Sequence, residues 1–286
     1  MSMSASAARS AFGEDRISDR NFNRLASFIY DYSGIKMPPG KRTMLEGRLR
    51  RRLRVTGHGT FDDYCEYLFK EDGLESETIY LIDAVTTNKT DFFREPNHFE
   101  YLVRHVLPTY DQVFGPKLRV WSSACSTGAE PYTIAMLLEE HIEPALNSHY
   151  RILATDLSTE VLETARKGIY PRDMVAPVPP ALRQKYALQH VDPSRPEIRI
   201  HPKLRSRVGF ARLNLMDEEY RVGDPMQIIF CRNVMIYFDK PTQQRVLTRL
   251  CNNLVSGGYL FIGHSETVSG FDLPIKQVAN TIFRKV

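Results

Sequence analysis

The stretch Leu118-Arg-Val-Trp-Ser-Ser-Ala-Cys-Ser-Thr-Gly-Ala-Glu-Pro-Tyr-Thr133 sets the architecture of this chain. An apolar run, Leu118, Val120 and Trp121, gives way to small residues from Ser122 to Gly128 and then to a helical pattern with Pro131 in its first turn. The order is strand, tight turn, helix. Proline suits a helix start because its missing N–H would be unpaired there in any case. Small residues let a ligand approach the backbone closely. Unpaired N–H groups at a helix start favour a ligand rich in acceptors or negative charge. With the single glycine Gly128 the turn is a loose match to G-x-G-x-x-G, and alone it equally fits an ordinary βα turn that binds nothing.

Downstream the alternation continues. Strands are predicted over residues 151–155, 208–213, 227–231, 259–263 and 281–285, with helices over 130–141, 160–167 and 241–255 and one more, over 96–110, ahead of the quoted stretch. Strands alternating with helices predict a doubly wound, mostly parallel α/β sheet with right-handed crossovers. Its ligand belongs beyond the carboxyl ends of the strands. Between about 171 and 207 the alternation lapses into a proline-rich, charge-rich stretch containing Ile198-Arg-Ile200, an inserted small β subdomain.

Upstream the pattern is helical. Residues 1–16 are rich in Ser and Ala and predict a disordered tail. Residues 17–86 predict a small helical domain of four amphipathic helices. Ser18 caps the first, which carries Phe22, Leu25, Ala26, Ile29 and Tyr30 and stops at Gly34. The second, from Lys41, aligns Leu45, Leu49 and Leu53 on one stripe and leaves Arg48, Arg50, Arg51 and Arg54 outside it. Seven basic residues against the single acid Glu46 is more one-sided than a solvated face needs. It predicts docking of an acidic protein or a nucleic acid. Thr60 and Asp63 open the third helix in capping-box-like spacing, and the fourth covers 75–85. Residues 87–95 link this domain to the sheet domain, 96–286. There Asn88, Thr90 and Arg94 interleave with Phe92 and Phe93, which fits either a linker or a segment anchored by aromatics with polar groups facing a site.

At 286 residues the chain can bury a large core, and 42% hydrophobic with 25% charged residues is a soluble globular composition. No apolar run is long enough to span a bilayer and no secretory signal is present, so a cytoplasmic protein without membrane insertion is expected. Cys65, Cys125, Cys231 and Cys251 are scattered without a C-x-x-C pair. Reduced thiols and no metal are expected.

Asp156 stands at the carboxyl end of the second strand, where acids bind ribose hydroxyls in nucleotide folds. Its distance from Gly128 exceeds the usual separation of about 20 residues, an excess that a loop over 143–149 would absorb. Glu130, directly after the turn, would repel a pyrophosphate and suits a cofactor carrying positive charge, such as S-adenosylmethionine. Asn214, after the third strand, is placed to read an adenine edge. Arg232-Asn233, followed by Ile236-Tyr237-Phe238-Asp239, brings polar groups and an aromatic to the place where substrate and cofactor would meet.

Together, residues 86–94 with Phe92-Phe93, Trp121 to Tyr132 with Ser126-Thr127-Gly128, Ala154-Thr-Asp156, Asn214-Leu215, the block Phe230-Cys-Arg-Asn-Val-Met-Ile-Tyr-Phe-Asp239 and Gly263-His-Ser-Glu266 resemble the chemotaxis receptor methyltransferases, the CheR family. The resemblance runs from about Ser18 to the C-terminus. It implies a Rossmann-like fold and S-adenosylmethionine-dependent methyl esterification of receptor glutamates, with S-adenosylhomocysteine as product. By position it implies Asn88, Thr90, Arg94, Glu130, Asp156, Asn214, Leu215, Arg232 and Asn233 as cofactor contacts, with Arg94 and Tyr237 nearest the reacting methyl. The implied partner is the cytoplasmic helical region of transmembrane chemoreceptors, met by the basic helix at receptor arrays, with no nucleic acid expected. In some relatives the β subdomain clamps a receptor tail peptide. Here the loop from His190 to Pro196 lacks the glycines of those members, so a tail peptide is a partner the resemblance admits without requiring. The rival reading is a methyltransferase whose basic helix grips nucleic acid.

Overall fold

The computed structural model describes residues 15–142 and 149–286. Nearly all of the tail expected over residues 1–16, and all but the last residue of the loop expected over 143–149, fall outside those residues. Asp15 is already tied in, its carboxylate accepting from the Phe61 N–H at 2.7 Å. The chain divides into two compact units, one ending at Thr87 and the other beginning at Asn88.

The first unit holds helices α1 (Asp19–Ser33), α2 (Arg42–Thr56), α3 (Phe61–Lys70) and α4 (Leu74–Val85). Their ends follow local chemistry. The Ser18 hydroxyl accepts from the Asn21 N–H, and Gly34 closes α1 in the left-handed region at φ 73°. Thr60 caps α3 through the Asp63 N–H at 3.1 Å. The helix expected from Lys41 begins one residue later, because Pro38-Pro39 first forces a short 3₁₀ turn, Pro39–Lys41. Leu45, Leu49 and Leu53 are buried, as their stripe predicts. Burial of each stabilises the unit by roughly 1.5–3 kcal/mol.

The second unit is a seven-stranded sheet in the order β6-β2-β1-β7-β8-β10-β9. Its strands are β1 (Lys117–Ser123), β2 (His149–Asp156), β6 (Val208–Arg212), β7 (Met226–Cys231), β8 (Leu254–Ile262), β9 (Ile275–Ala279) and β10 (Ile282–Lys285). The pairings β6-β2, β2-β1, β1-β7 and β7-β8 are parallel, and β10 runs antiparallel to both neighbours. Every residue of β7 is buried, the mark of a central strand covered on both faces. Helix α5 (Pro96–Tyr101) precedes β1, α7 (Ala129–His141) follows it, α8 (Thr159–Lys167) follows β2, and α9 (Lys240–Asn252) lies between β7 and β8. A small antiparallel sheet, β3-β5-β4 (Ile169–Pro171, Glu197–Ile200, Ala187–Gln189), is the inserted subdomain.

Two expected elements differ. The helix expected over residues 96–110 is broken: α5 passes into a π-turn, Leu102–Val106, and a 3₁₀ turn, Leu107–Thr109, before α6 (Tyr110–Phe114). Pro108 lacks an N–H and clashes with the carbonyl four residues back, so the helix widens just ahead of it. The expected helix over 241–255 ends at Asn252, and β8 begins at Leu254, running through Gly257, which sits at φ 76°. The glycines bend the strand rather than preceding it.

From β1 the chain first builds outward to β2 and β6, then crosses back to lay β7 on the other side of β1. This reversal opens a crevice beyond the carboxyl ends of β1 and β7, the position where doubly wound sheets bind ligands.

Candidate functional site at the sheet's switch point

The turn after β1 is tightly wound. Ala124, Ser126 and Gly128 all have positive φ, at 62°, 51° and 91°. At Gly128 a Cβ would come within 2.8 Å of the Ala165 Cβ, so only glycine brings the start of α7 this close to α8. The turn's N–H groups are less available than a helix start suggests. Cys125 N–H donates to the Thr155 carbonyl, Gly128 N–H to the Cys125 carbonyl, and Ser126 N–H to Asp156 Oδ2 at 2.8 Å. Asp156 also accepts from the Ser158 N–H at 3.0 Å, so one carboxylate joins the turn to the cap of α8. The Ser126 hydroxyl donates to the Asn88 carbonyl at 2.8 Å, which brings the segment from Asn88 onto the turn. Phe92, fully buried edge-on to Tyr170, anchors that segment.

Beside the turn lies a buried charge network. Arg232 donates to Glu130 Oε2 at 3.1 Å, Glu95 Oε2 at 2.9 Å and the Arg94 carbonyl at 2.5 Å. It also lies over the Phe99 ring. The other Glu130 oxygen accepts from the Ser122 hydroxyl at 2.6 Å. Glu130 is therefore not a bare carboxylate awaiting a cationic ligand; the protein supplies a cation of its own on one side. The two acids respond differently. Burial pushes the Glu130 carboxyl up, outweighing Arg232 and Ser122. For Glu95, burial pushes the same way, but hydrogen bonds from Asn233 and Arg232 prevail and hold the carboxyl at about 2.

Asn233 follows Arg232 in the left-handed region at φ 58° and donates from Nδ2 to Glu95 Oε1 at 2.9 Å. Its main chain is held by Glu266, which accepts from the N–H groups of Asn233, Val234, Met235 and Gly263. Glu95, His98 and His264 also converge, with one ligand-type atom from each within 4.8 Å of the others. Burial, reinforced by Arg232, draws the His98 imidazole down to about 3, so it is neutral at pH 7. Both Glu95 oxygens already accept from Arg232 and Asn233, and a cation seated there would face the Arg232 guanidinium. The donor set is that of a hydrogen-bond network.

The remaining expected residues lie on separate segments. Arg94 is half-buried and donates to the Lys89 carbonyl at 3.0 Å. Thr90 is half-buried on the same segment, and Tyr237 lies half-buried in a 3₁₀ turn, Met235–Tyr237. Past β6, the Asn214 side chain accepts from the Met216 N–H at 3.0 Å, and Leu215 is buried. In the first unit the basic helix is not uniform. Arg48 donates to the Val85 and Thr86 carbonyls, completing the end of α4, and Arg50 reaches the Asp15 carbonyl. Arg51 and Arg54 are exposed. Sequence reasoning missed Glu95, Ser122, His98 and Glu266 as site residues. Glu95 stands only as the last residue of the 87–95 linker, and Glu266 only as the end of the block Gly263-His-Ser-Glu266, with no role attached to either side chain.

The family models now bear on this geometry. The all-alpha domain of the CheR methyltransferases matches residues 20–86, and the SAM binding domain of the CheR methyltransferases matches residues 88–283. The "Chemotaxis protein methyltransferase" of Borreliella burgdorferi is 40% identical over 259 residues, covering 89% of this chain and 90% of that protein. Its namesake in Klebsiella aerogenes is 42% identical over 253 residues, 88% and 85% of the two chains. In Escherichia coli K12 the figures are 39% over 267 residues, 93% and 91%. Fold and family models define the class, a Rossmann-like, S-adenosylmethionine-dependent methyltransferase domain preceded in the chain by an all-α domain. The chain belongs to the CheR methyltransferase family. Among the described residues no helix is long and apolar enough to cross a membrane.

Proposed function

We propose that this protein transfers a methyl group to glutamate side-chain carboxylates of chemoreceptors, forming methyl esters, in the cytoplasm at receptor arrays. The observation that carries this reading is the meeting of the Ser126 turn, Asp156, Glu130 and Arg232-Asn233 at one crevice in a chain of this family. The crevice fits the cofactor's amino-acid end: Gly128 keeps the turn narrow, and the buried Thr127 Oγ1 and Arg232 Nε have no hydrogen-bond partner among the described residues. S-adenosylmethionine, when bound, supplies a methyl carried on a positively charged sulfur. Asn88, Thr90, Arg94, Glu130, Asp156, Asn214, Leu215, Arg232 and Asn233 hold it, some by contact and others, like Arg232, by bracing their neighbours.

The substrate dictates little acid–base chemistry. A glutamate side chain with an ordinary pKa of about 4.3 is already a carboxylate at neutral pH, so no general base is needed. Catalysis is then mainly positioning, worth up to about 7–11 kcal/mol in model reactions. Arg94 orients the incoming carboxylate and Tyr237 shapes the approach. Arg51 and Arg54 are the arginines of α2 best exposed to meet acidic receptor helices. A receptor tail peptide is the second partner: the β subdomain carries a cleft of about 540 Å³ in which Arg172 and Arg183 stand among Val175, Pro180, Leu188 and Ile198. The deciding experiment is transfer from methyl-labelled S-adenosylmethionine to membranes containing chemoreceptors. Label released by alkali is the expected result. Absence of label on receptor, or alkali-stable label on nucleic acid, overturns it.

A further inference from the structure

We infer that Glu266 is a positioning residue, the internal anion that folds the loop carrying Arg232, Asn233 and Tyr237 into working shape. The inference rests on the proposed function for its catalytic consequence, and on geometry alone for the clamp itself. Glu266 Oε2 accepts from Gly263 N–H at 2.6 Å and Asn233 N–H at 3.1 Å, while Oε1 accepts from Met235 N–H at 2.7 Å and Val234 N–H at 2.8 Å. It is 7% exposed, and among the described residues it forms no ion pair with a Lys or Arg. Four main-chain donors take the place of a counter-charge. Consecutive N–H groups turned to one point form an anion-binding nest. Here the nest is filled by the protein's own side chain.

The backbone needs that anion. Asn233 at φ 58° is a non-glycine residue in a conformation that persists only when its surroundings impose it. Gly263 completes the clasp, since a Cβ there would lie 2.8 Å from the Asn233 nitrogen and 2.9 Å from Glu266 Oε2. The carboxyl ends of the neighbouring parallel strands β7 and β8 are thereby locked together. Glu95 holds the Asn233 side chain. Glu266 holds the main chain. Only a carboxylate can accept from all four donors: a glutamine keeps one oxygen and turns an NH₂ against two N–H groups.

The test is Glu266→Gln in the full chain, read four ways. Amide hydrogen exchange over residues 232–238 should accelerate while β1 and β2 stay protected. Melting should show the variant folded at the assay temperature. Methyl transfer to receptor membranes should fall by about a hundredfold in kcat, the effect of a small misplacement, a larger loss than that of S-adenosylhomocysteine affinity by calorimetry. Unchanged exchange, or faster exchange with kcat within about threefold of wild type, overturns the inference, as does a loss of kcat no larger than the loss of folded protein. Gly263→Ala, which keeps the carboxylate but opens the clasp, should give the same pattern and covers a Glu266→Gln that does not fold. If wild type itself transfers no methyl, the functional reading fails, and the exchange measurement still decides the clamp.

Discussion

Replacing Arg232 with methionine, of similar length but without charge, isolates the buried network. The change removes donors to Glu130, Glu95 and the Arg94 carbonyl at 3.1, 2.9 and 2.5 Å, and leaves two half-buried acids without their shared cation. Removing one partner of a buried ion pair costs roughly 3–5 kcal/mol, because the abandoned charge stays desolvated. In a unit of this size each kcal/mol lowers the melting temperature by about 2–4 °C, so a fall on the order of 10 °C is expected. Urea and thermal unfolding of the full chain measure it. Repeating the substitution in a Glu130→Gln background removes one abandoned charge, and the loss should shrink by about 1–2 kcal/mol, a coupling of the size found between contacting residues. A loss below about 1 kcal/mol, or one unaltered by Glu130→Gln, refutes the idea that Arg232 is held by charge.

Glu95, held at about 2 against an ordinary 4.5, contributes stability that is present above pH 4.5 and disappears as the pH falls toward 2. After discounting for partial solvent contact this is about 1–2 kcal/mol, so the melting difference between wild type and Glu95→Gln should narrow from pH 7 to pH 3. Gly128→Ala sets a methyl against Ala165 at positive φ and should cost about 1–3 kcal/mol, with weaker S-adenosylhomocysteine binding by calorimetry. Arg94→Ala should lower methyl transfer by about a hundredfold, far more than it weakens cofactor binding, and equal losses in both would remove its orienting role. Arg54→Glu should raise the KM for receptor membranes without shifting the melting curve. Arg48→Ala should destabilise by about 1–3 kcal/mol, because it strands the carbonyls at the end of α4.

What was legible in the sequence was local. Central strands such as β7 announce themselves as apolar runs because both faces are buried, and Ser18, Gly34 and Thr60 mark helix ends through their own backbone chemistry. The short strands β3 and β4 have three residues each, too few for any period. Strand β9, an edge with its three central residues exposed, shows no apolar alternation. The site was half legible. Ser126, Asp156 and Asn233 stand out because they end or follow strands. Their partners did not: Glu130 meets Arg232 across 102 positions and Asn233 meets Glu95 across 138, separations that leave no local trace. Hence Glu130 reads as an unmatched charge, and the N–H groups at the helix start as unpaired.

The sharing of Arg232 between Glu95 and Glu130 also constrains how this protein can change over generations. Its three members come from the segment before α5, the start of α7 and the end of β7, so no single substitution improves one without stranding another. Lineages that lose the arginine should lose or neutralise at least one of the acids in the same step or the next. Positions 95, 130 and 232 should therefore vary as a set or hardly at all, and an engineer wishing to re-aim this crevice would do better to exchange the trio together than to alter its parts in turn.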